Sequence, residues 1–139
     1  QEIDYFPGNG ERVLIVDDEQ SLRTTAKIIL EDAGFDAIVA RSAEEALQII
    51  TESQKTDRID VILTDVVMTG LSGPQLAIEA QRQYPDLAVV FMSGYPARTR
   101  REMEKMLGDY IFVKKPFRPA QLQKAIHEAL AHKTERQRL

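Results

Sequence analysis

Two adjacent aspartates, Asp17 and Asp18, follow directly on the apolar run Val13, Leu14, Ile15 and Val16, and Glu19 comes next. Asp65, Ser93 and the pair Lys114 and Lys115 stand in the same way at the ends of three other apolar runs. Carboxylates a few ångströms apart repel, and each raises its neighbours' pKa unless a cation neutralises them. Hard oxygen donors without sulfur or imidazole suit Mg²⁺ or Mn²⁺, which keep positions open for phosphate oxygens. Lys115 offers a point positive charge and Ser93 a hydroxyl donor. A carboxylate nucleophile, a divalent ion, a lysine and a hydroxyl are the parts phosphoryl transfer needs, because its catalysis is mostly positioning and charge stabilisation. That chemistry requires four distant stretches of chain to meet at one place.

The elements that would bring them together alternate regularly. Residues 12–16 (RVLIV) are a β-branched run of the kind buried on both faces of a sheet. Leu22, Ala26, Ile29, Leu30 and Ala33 then recur at helical spacing, and Gly34 closes that helix. Residues 35–40 are a second strand. Ser42 with Glu45 three residues on reads as a capping box for a helix through Ile49 and Ile50. Residues 60–64 are a third strand, followed by a loop with Gly70 and Gly73. Leu76, Ala77 and Ala80 mark a helix that ends at Tyr84 and Pro85. Residues 87–92 and 110–113 are the last two strands, with a charged, weakly amphipathic helix over 98–107 between them. Leu122, Ala125, Ile126, Ala129 and Leu130 define the final helix. Five strands alternating with five helices predict an α/β fold with a doubly wound, five-stranded parallel sheet. Such sheets bind ligands at the carboxyl ends of their strands, where these polar residues fall.

Composition narrows the chemistry further. The 139 residues suit one domain able to bury about two-thirds of its unfolded surface. A hydrophobic share of 43% against 29% charged is that of an ordinary globular protein, and the net charge of −4 gives no reason to expect nucleic-acid binding. Without cysteine there is no disulfide, thiolate metal site or cysteine nucleophile. The two histidines, His127 and His132, lie together near the C-terminus and do not suggest a metal site. No apolar run reaches the ~20 residues of a membrane helix, and no signal-peptide pattern is present. The chain starts at Gln1 rather than Met, as expected of a processed or excised segment.

The set VDDE, LTDVVM, LSG, FMSGY and KKPF, in that order and on those strands, resembles the receiver domain of two-component response regulators. The similarity spans roughly residues 12–132, leaving 1–11 as a linker and 133–139 as a C-terminal tail or linker. The resemblance implies the flavodoxin-like strand order 2-1-3-4-5, Asp65 as phosphoacceptor, and Mg²⁺ bound directly by Asp18, through water by Asp17, and by Asp65 and the carbonyl of Val67. It also implies Ser93 as the switch hydroxyl, Lys115 as the site lysine because it precedes Pro116, and Phe112 as the switch aromatic. The Lys115–Pro116 bond is expected to be cis. The implied partner is a histidine kinase or histidine phosphotransfer domain, and any kinase activity would lie in another domain.

Each residue alone has a plainer reading. Asp17 and Asp18 are equally at home at a helix N-terminus, Ser93 and Gly94 in an ordinary loop, and Phe112 in a core. Chance placement at four strand ends is much harder to accept. Two departures from the family pattern stand out: Thr69 replaces a usual proline, and Val67 offers no group to orient a hydrolytic water. With the bulky Tyr95 nearby, Val67 predicts a phosphorylated state lasting minutes or more. A metal-dependent phosphohydrolase with an aspartyl nucleophile is the enzymatic alternative, but such enzymes usually carry an acid where Val67 stands. A receiver-like module that switches without phosphate is a third reading. The motifs resemble especially the receivers of hybrid sensor histidine kinases. A cytoplasmic location follows from that resemblance, at the membrane's cytoplasmic face if the domain is part of such a kinase. Phosphorylation is expected to change the surface of the 98–107 helix, the fifth strand and the last helix, where a partner or a second copy would dock.

Overall fold

A computed structural model describes residues 6–94, 96–107 and 110–138. Five strands, β1 (Arg12–Val16), β2 (Asp36–Ala40), β3 (Val61–Asp65), β4 (Ala88–Ser93) and β5 (Ile111–Lys114), form one parallel sheet in the order β2-β1-β3-β4-β5. Between and after them run α1 (Gln20–Asp32), α2 (Ala43–Ser53), α3 (Gly73–Gln83), α4 (Pro96–Leu107) and α5 (Pro119–Arg138). The expected topology is therefore the observed one. No helix among the described residues is long and apolar enough to cross a membrane.

Successive strand side chains point to opposite faces, and here both faces are dry. Val13, Ile15, Val61, Leu63, Val90 and Met92 pack with α1 and α5 through Ala26, Leu30, Leu122 and Ile126. Leu14, Val16, Ile62, Val89 and Phe91 pack on the other side against Ala43, Ile50, Leu76, Ala77 and Met103 from α2, α3 and α4. The lower end of β1 is pinned by polar contacts. The Arg12 N–H donates to Asp60 Oδ2 at 2.9 Å, and its guanidinium bonds Asp36 Oδ2 at 3.2 Å.

The helix starts differ from expectation in one detail. Ser42 Oγ accepts the Glu45 N–H at 3.1 Å, but the Glu45 carboxylate accepts from Arg41 rather than returning to Ser42. The complete capping box lies at α3, where Ser72 and Gln75 satisfy each other's backbone N–H. Of the eleven residues read as a linker, Gly8 and Gly10 already donate backbone hydrogen bonds to Ala33 and Gly34, and the Phe6 ring lies 5.8 Å from that of His127. Helix α5 continues through Arg138, into the stretch read as a tail.

Candidate functional site

The carboxyl ends of β1, β3, β4 and β5 meet at one edge of the sheet. Asp17 follows the last residue of β1 and is 1% exposed, a depth at which a carboxylate requires partners. Its Oδ1 accepts the Glu19 N–H at 2.8 Å, and its Oδ2 lies 3.1 Å from Lys115 Nζ. The same ammonium stands 3.2 Å from Asp65 Oδ2, bridging the two strands. Lys115 reaches in from just beyond β5, after which the Lys115–Pro116 bond is cis as expected. Lys114 faces water.

Asp18 is exposed, and its Oδ2 is 3.5 Å from the Thr69 amide in the β3–α3 loop. Carboxylate oxygens of Asp17, Asp18 and Asp65 all lie within 4.8 Å of one another. Three carboxylates facing one ammonium leave a net charge of −2 in this cluster. An all-oxygen donor set with that deficit fits a hard divalent cation.

Local sequence explains why Asp65 is held so firmly. Buried Thr64 donates its hydroxyl to the Asp65 carbonyl at 3.0 Å. The Val66 N–H bonds the Met92 carbonyl at 3.2 Å, and the Val66 carbonyl accepts from Gly73 at 2.9 Å. A Cβ at position 73 would sit 2.2 Å from the Asp65 carbonyl oxygen, so only glycine allows α3 to start this close. Gly70 adopts φ 86°, which turns the loop where the usual proline is absent. The Val67 side chain is 78% exposed and stands in the loop directly after Asp65, open to water.

Burial pushes the Asp65 carboxyl above its ordinary range, and the charge of Asp17 adds to the effect. Lys115 opposes them without reversing the direction. For Lys115 itself burial disfavours the ammonium, but the hydrogen bond to Asp17 and the charges of Asp65 and Asp17 prevail and raise its pKa. The Asp65 carboxyl is thus easier to protonate than a free aspartate, and the lysine is firmly charged.

Ser93, one residue beyond the Met92 that pairs with Asp65, is buried, and its Oγ is 3.2 Å from Thr99 Oγ1 on α4. Phe112 pairs with Phe91 across β4 and β5, ring centroids 5.5 Å apart, and is partly buried rather than swung into solvent. The Arg100 guanidinium carbon lies 5.4 Å from the centre of the Phe112 ring. Among the sequence-derived residues, Asp17, Asp18, Asp65 and Lys115 converge directly, whereas Ser93 touches Thr99 of α4 and Phe112 lies between Phe91 of β4 and Arg100 of α4. Tyr95 lies outside the described residues. Thr99, Arg100 and the Ser72–Gln75 box were missed. The box has a readable S-x-x-Q signature, but Thr99 and Arg100 sit in a charged run that reads as a solvated face.

A doubly wound parallel sheet with an acidic, lysine-bridged cluster at its carboxyl edge defines the class of this domain. The family model for the response regulator receiver domain matches residues 13–127, and the chain belongs to that family. It is 32% identical over 118 residues to the sensor kinase CckA of Brucella abortus, covering 85% of this chain and 12% of that protein. Over 111 residues it is 33% identical to the transcriptional regulatory protein YvrH of Bacillus subtilis, covering 79% and 45% respectively. The chain therefore spans under half the length of either relative. A response regulator receiver domain protein from Clostridium thermocellum superposes with a TM-score of 0.78 at 29% identity, over 90% of this chain and 98% of that one.

Proposed function

We propose that Asp65 accepts a phosphoryl group from a phosphohistidine on a histidine kinase or histidine phosphotransfer domain. An Asp65 oxygen attacks phosphorus, the P–N bond breaks, and the imidazole nitrogen leaves with the bonding pair. The observation that carries this reading is the single ammonium of Lys115 between Asp17 and Asp65 in a cluster otherwise short of positive charge. Asp17, Asp18, Asp65 and the Val67 carbonyl would hold Mg²⁺ or Mn²⁺. A divalent ion bound there neutralises charge on the phosphoryl oxygens. Lys115 pairs with one of those oxygens, and Ser93 donates to another once drawn toward Asp65. Phe112 then moves into space that Ser93 vacates, and the α4–β5–α5 surface changes with it. That surface is where an output partner or a second copy docks. Residues 12–132 form the signalling unit, at home in the cytoplasm or attached to a hybrid sensor kinase.

Incubation with Mg²⁺ and acetyl phosphate or phosphoramidate tests the assignment. A hydroxylamine-labile phosphate on the wild type, absent from Asp65→Asn, is the expected outcome. Equal labelling of the two proteins rules Asp65 out.

A further inference from the structure

Two neighbouring residues on α4 touch the two residues expected to switch. Thr99 Oγ1 is 3.2 Å from Ser93 Oγ, and Arg100 lies over the Phe112 ring at 5.4 Å. Consecutive helix positions point about 100° apart, so one short piece of helix reaches β4 with one residue and β5 with the next. Arg100 is otherwise exposed, and among the described residues no hydrogen bond or ion pair fixes it elsewhere, whereas Arg98 on the same helix pairs with Glu102.

We infer that Thr99 and Arg100 are positioning residues that together hold the receiver in its unswitched state. The inference rests on the proposed phosphoacceptor reading and adds a residue-level account of its regulation. Thr99 engages the Ser93 hydroxyl that a phosphate on Asp65 would otherwise claim. Arg100 covers the face of Phe112 and stabilises the ring where it stands, since a guanidinium over an aromatic face is attractive. Both residues ride on one turn of α4. Moving Ser93 toward Asp65 breaks its contact with Thr99 and frees that turn to shift, which uncovers Phe112. Conversely, an α4 pulled away by a docked partner releases Ser93 and makes the site easier to occupy. The helix suits this role because among its described side chains Met103 alone is buried, so little apolar area anchors it.

The test is beryllofluoride affinity in the presence of Mg²⁺, with Mg²⁺ affinity and melting temperature measured beside it. Thr99→Val and Arg100→Ala should each tighten beryllofluoride binding by about two- to tenfold, the range one such contact represents. Mg²⁺ affinity should stay unchanged, which a general loosening of the fold would not produce. Thr99→Ser and Arg100→Lys should restore wild-type behaviour. In the double variant the gains should be less than multiplicative, because one released turn serves both contacts. Unchanged or weakened beryllofluoride binding in the single variants overturns the inference. The Phe112 ring, followed by aromatic ¹³C NMR in the unmodified protein, gives a readout independent of phosphate chemistry. Its signal should move in Arg100→Ala and also in Thr99→Val, which does not touch the ring. A wild type that never binds beryllofluoride removes the phosphoacceptor reading, and a ring signal that stays still in Thr99→Val removes the latch.

Discussion

Replacing Asp65 by asparagine should make the metal-free protein more stable, although it removes the proposed phosphoacceptor. Two other carboxylates reach within 4.8 Å of Asp65, and at an effective dielectric constant near 20 each repels it by about 3.5 kcal/mol. The Lys115 ammonium at 3.2 Å returns about 5 kcal/mol on the same scale. Solvent screens the exposed Asp18, so the charges largely offset one another, and burial of the Asp65 carboxylate, the largest influence on it, decides the sign. Asparagine keeps an oxygen for Lys115 and sheds the charge. With Asp18 exposed and screened, a gain of about 1–2 kcal/mol is expected, or roughly 3–7 °C for a chain of this length. Mg²⁺ should reverse the order. A ligand at 100 times its Kd stabilises the folded state by about 2.7 kcal/mol, and Asp65→Asn lacks one of the proposed donors. Thermal melts of both proteins, in EDTA and in a Mg²⁺ series, read this directly. An Asp65→Asn that melts at or below wild type in EDTA refutes the electrostatic account.

Asp18→Ala should weaken Mg²⁺ binding more than Asp17→Ala, because Asp18 is open to solvent while Asp17 is already engaged by Lys115 and Glu19; equal affinities for all three proteins would contradict the proposed ligand roles. Gly73→Ala should cost about 1–3 kcal/mol, as overpacking does, and slow acetyl phosphate labelling, since its Cβ cannot clear the Asp65 carbonyl. Because burial raises the Asp65 pKa, labelling should fall away on acidification sooner than for an exposed aspartate. In the metal-free protein, ionising Asp65 costs stability as pH rises through its folded pKa, readable by ¹³C NMR and melts. Lys115 contributes stability that is fully present below the ordinary lysine pKa and is lost as pH rises through its higher folded value. Val67→Asn should shorten the lifetime of the phosphorylated state, because it places a group able to orient water at a side chain now pointing into solvent.

The strands were legible because each carries a short, fully apolar run, and the observed ends differ from the expected ones by one residue at most. Asp17, Asp18, Asp65 and Lys115 were legible for a related reason: charge at the end of such a run can go only to the sheet's edge. The contacts of Ser93 and Phe112 were not, because they depend on how α4 lies against β4 and β5. A thin apolar stripe says little about rotation of a helix around its axis. The half-formed Ser42–Glu45 box was misread because Arg41 offers a competing backbone N–H that the S-x-x-E pattern does not reveal.

The two dry faces of β1 have a consequence for folding. A slip of one residue in this strand would exchange Val13 and Ile15 with Leu14 and Val16, trading one apolar set for another. Hydrophobic burial therefore discriminates weakly between the two alignments, and the strand must be indexed at its ends. Below, Arg12 is held by Asp60 and Asp36. Above, Asp17 has a place only where Lys115 and the Glu19 amide meet it, since a carboxylate displaced into either apolar layer would find no partner. Asp17 thus acts as a stop on the ruler, and a residue proposed to help hold a cation also tells the central strand where to end.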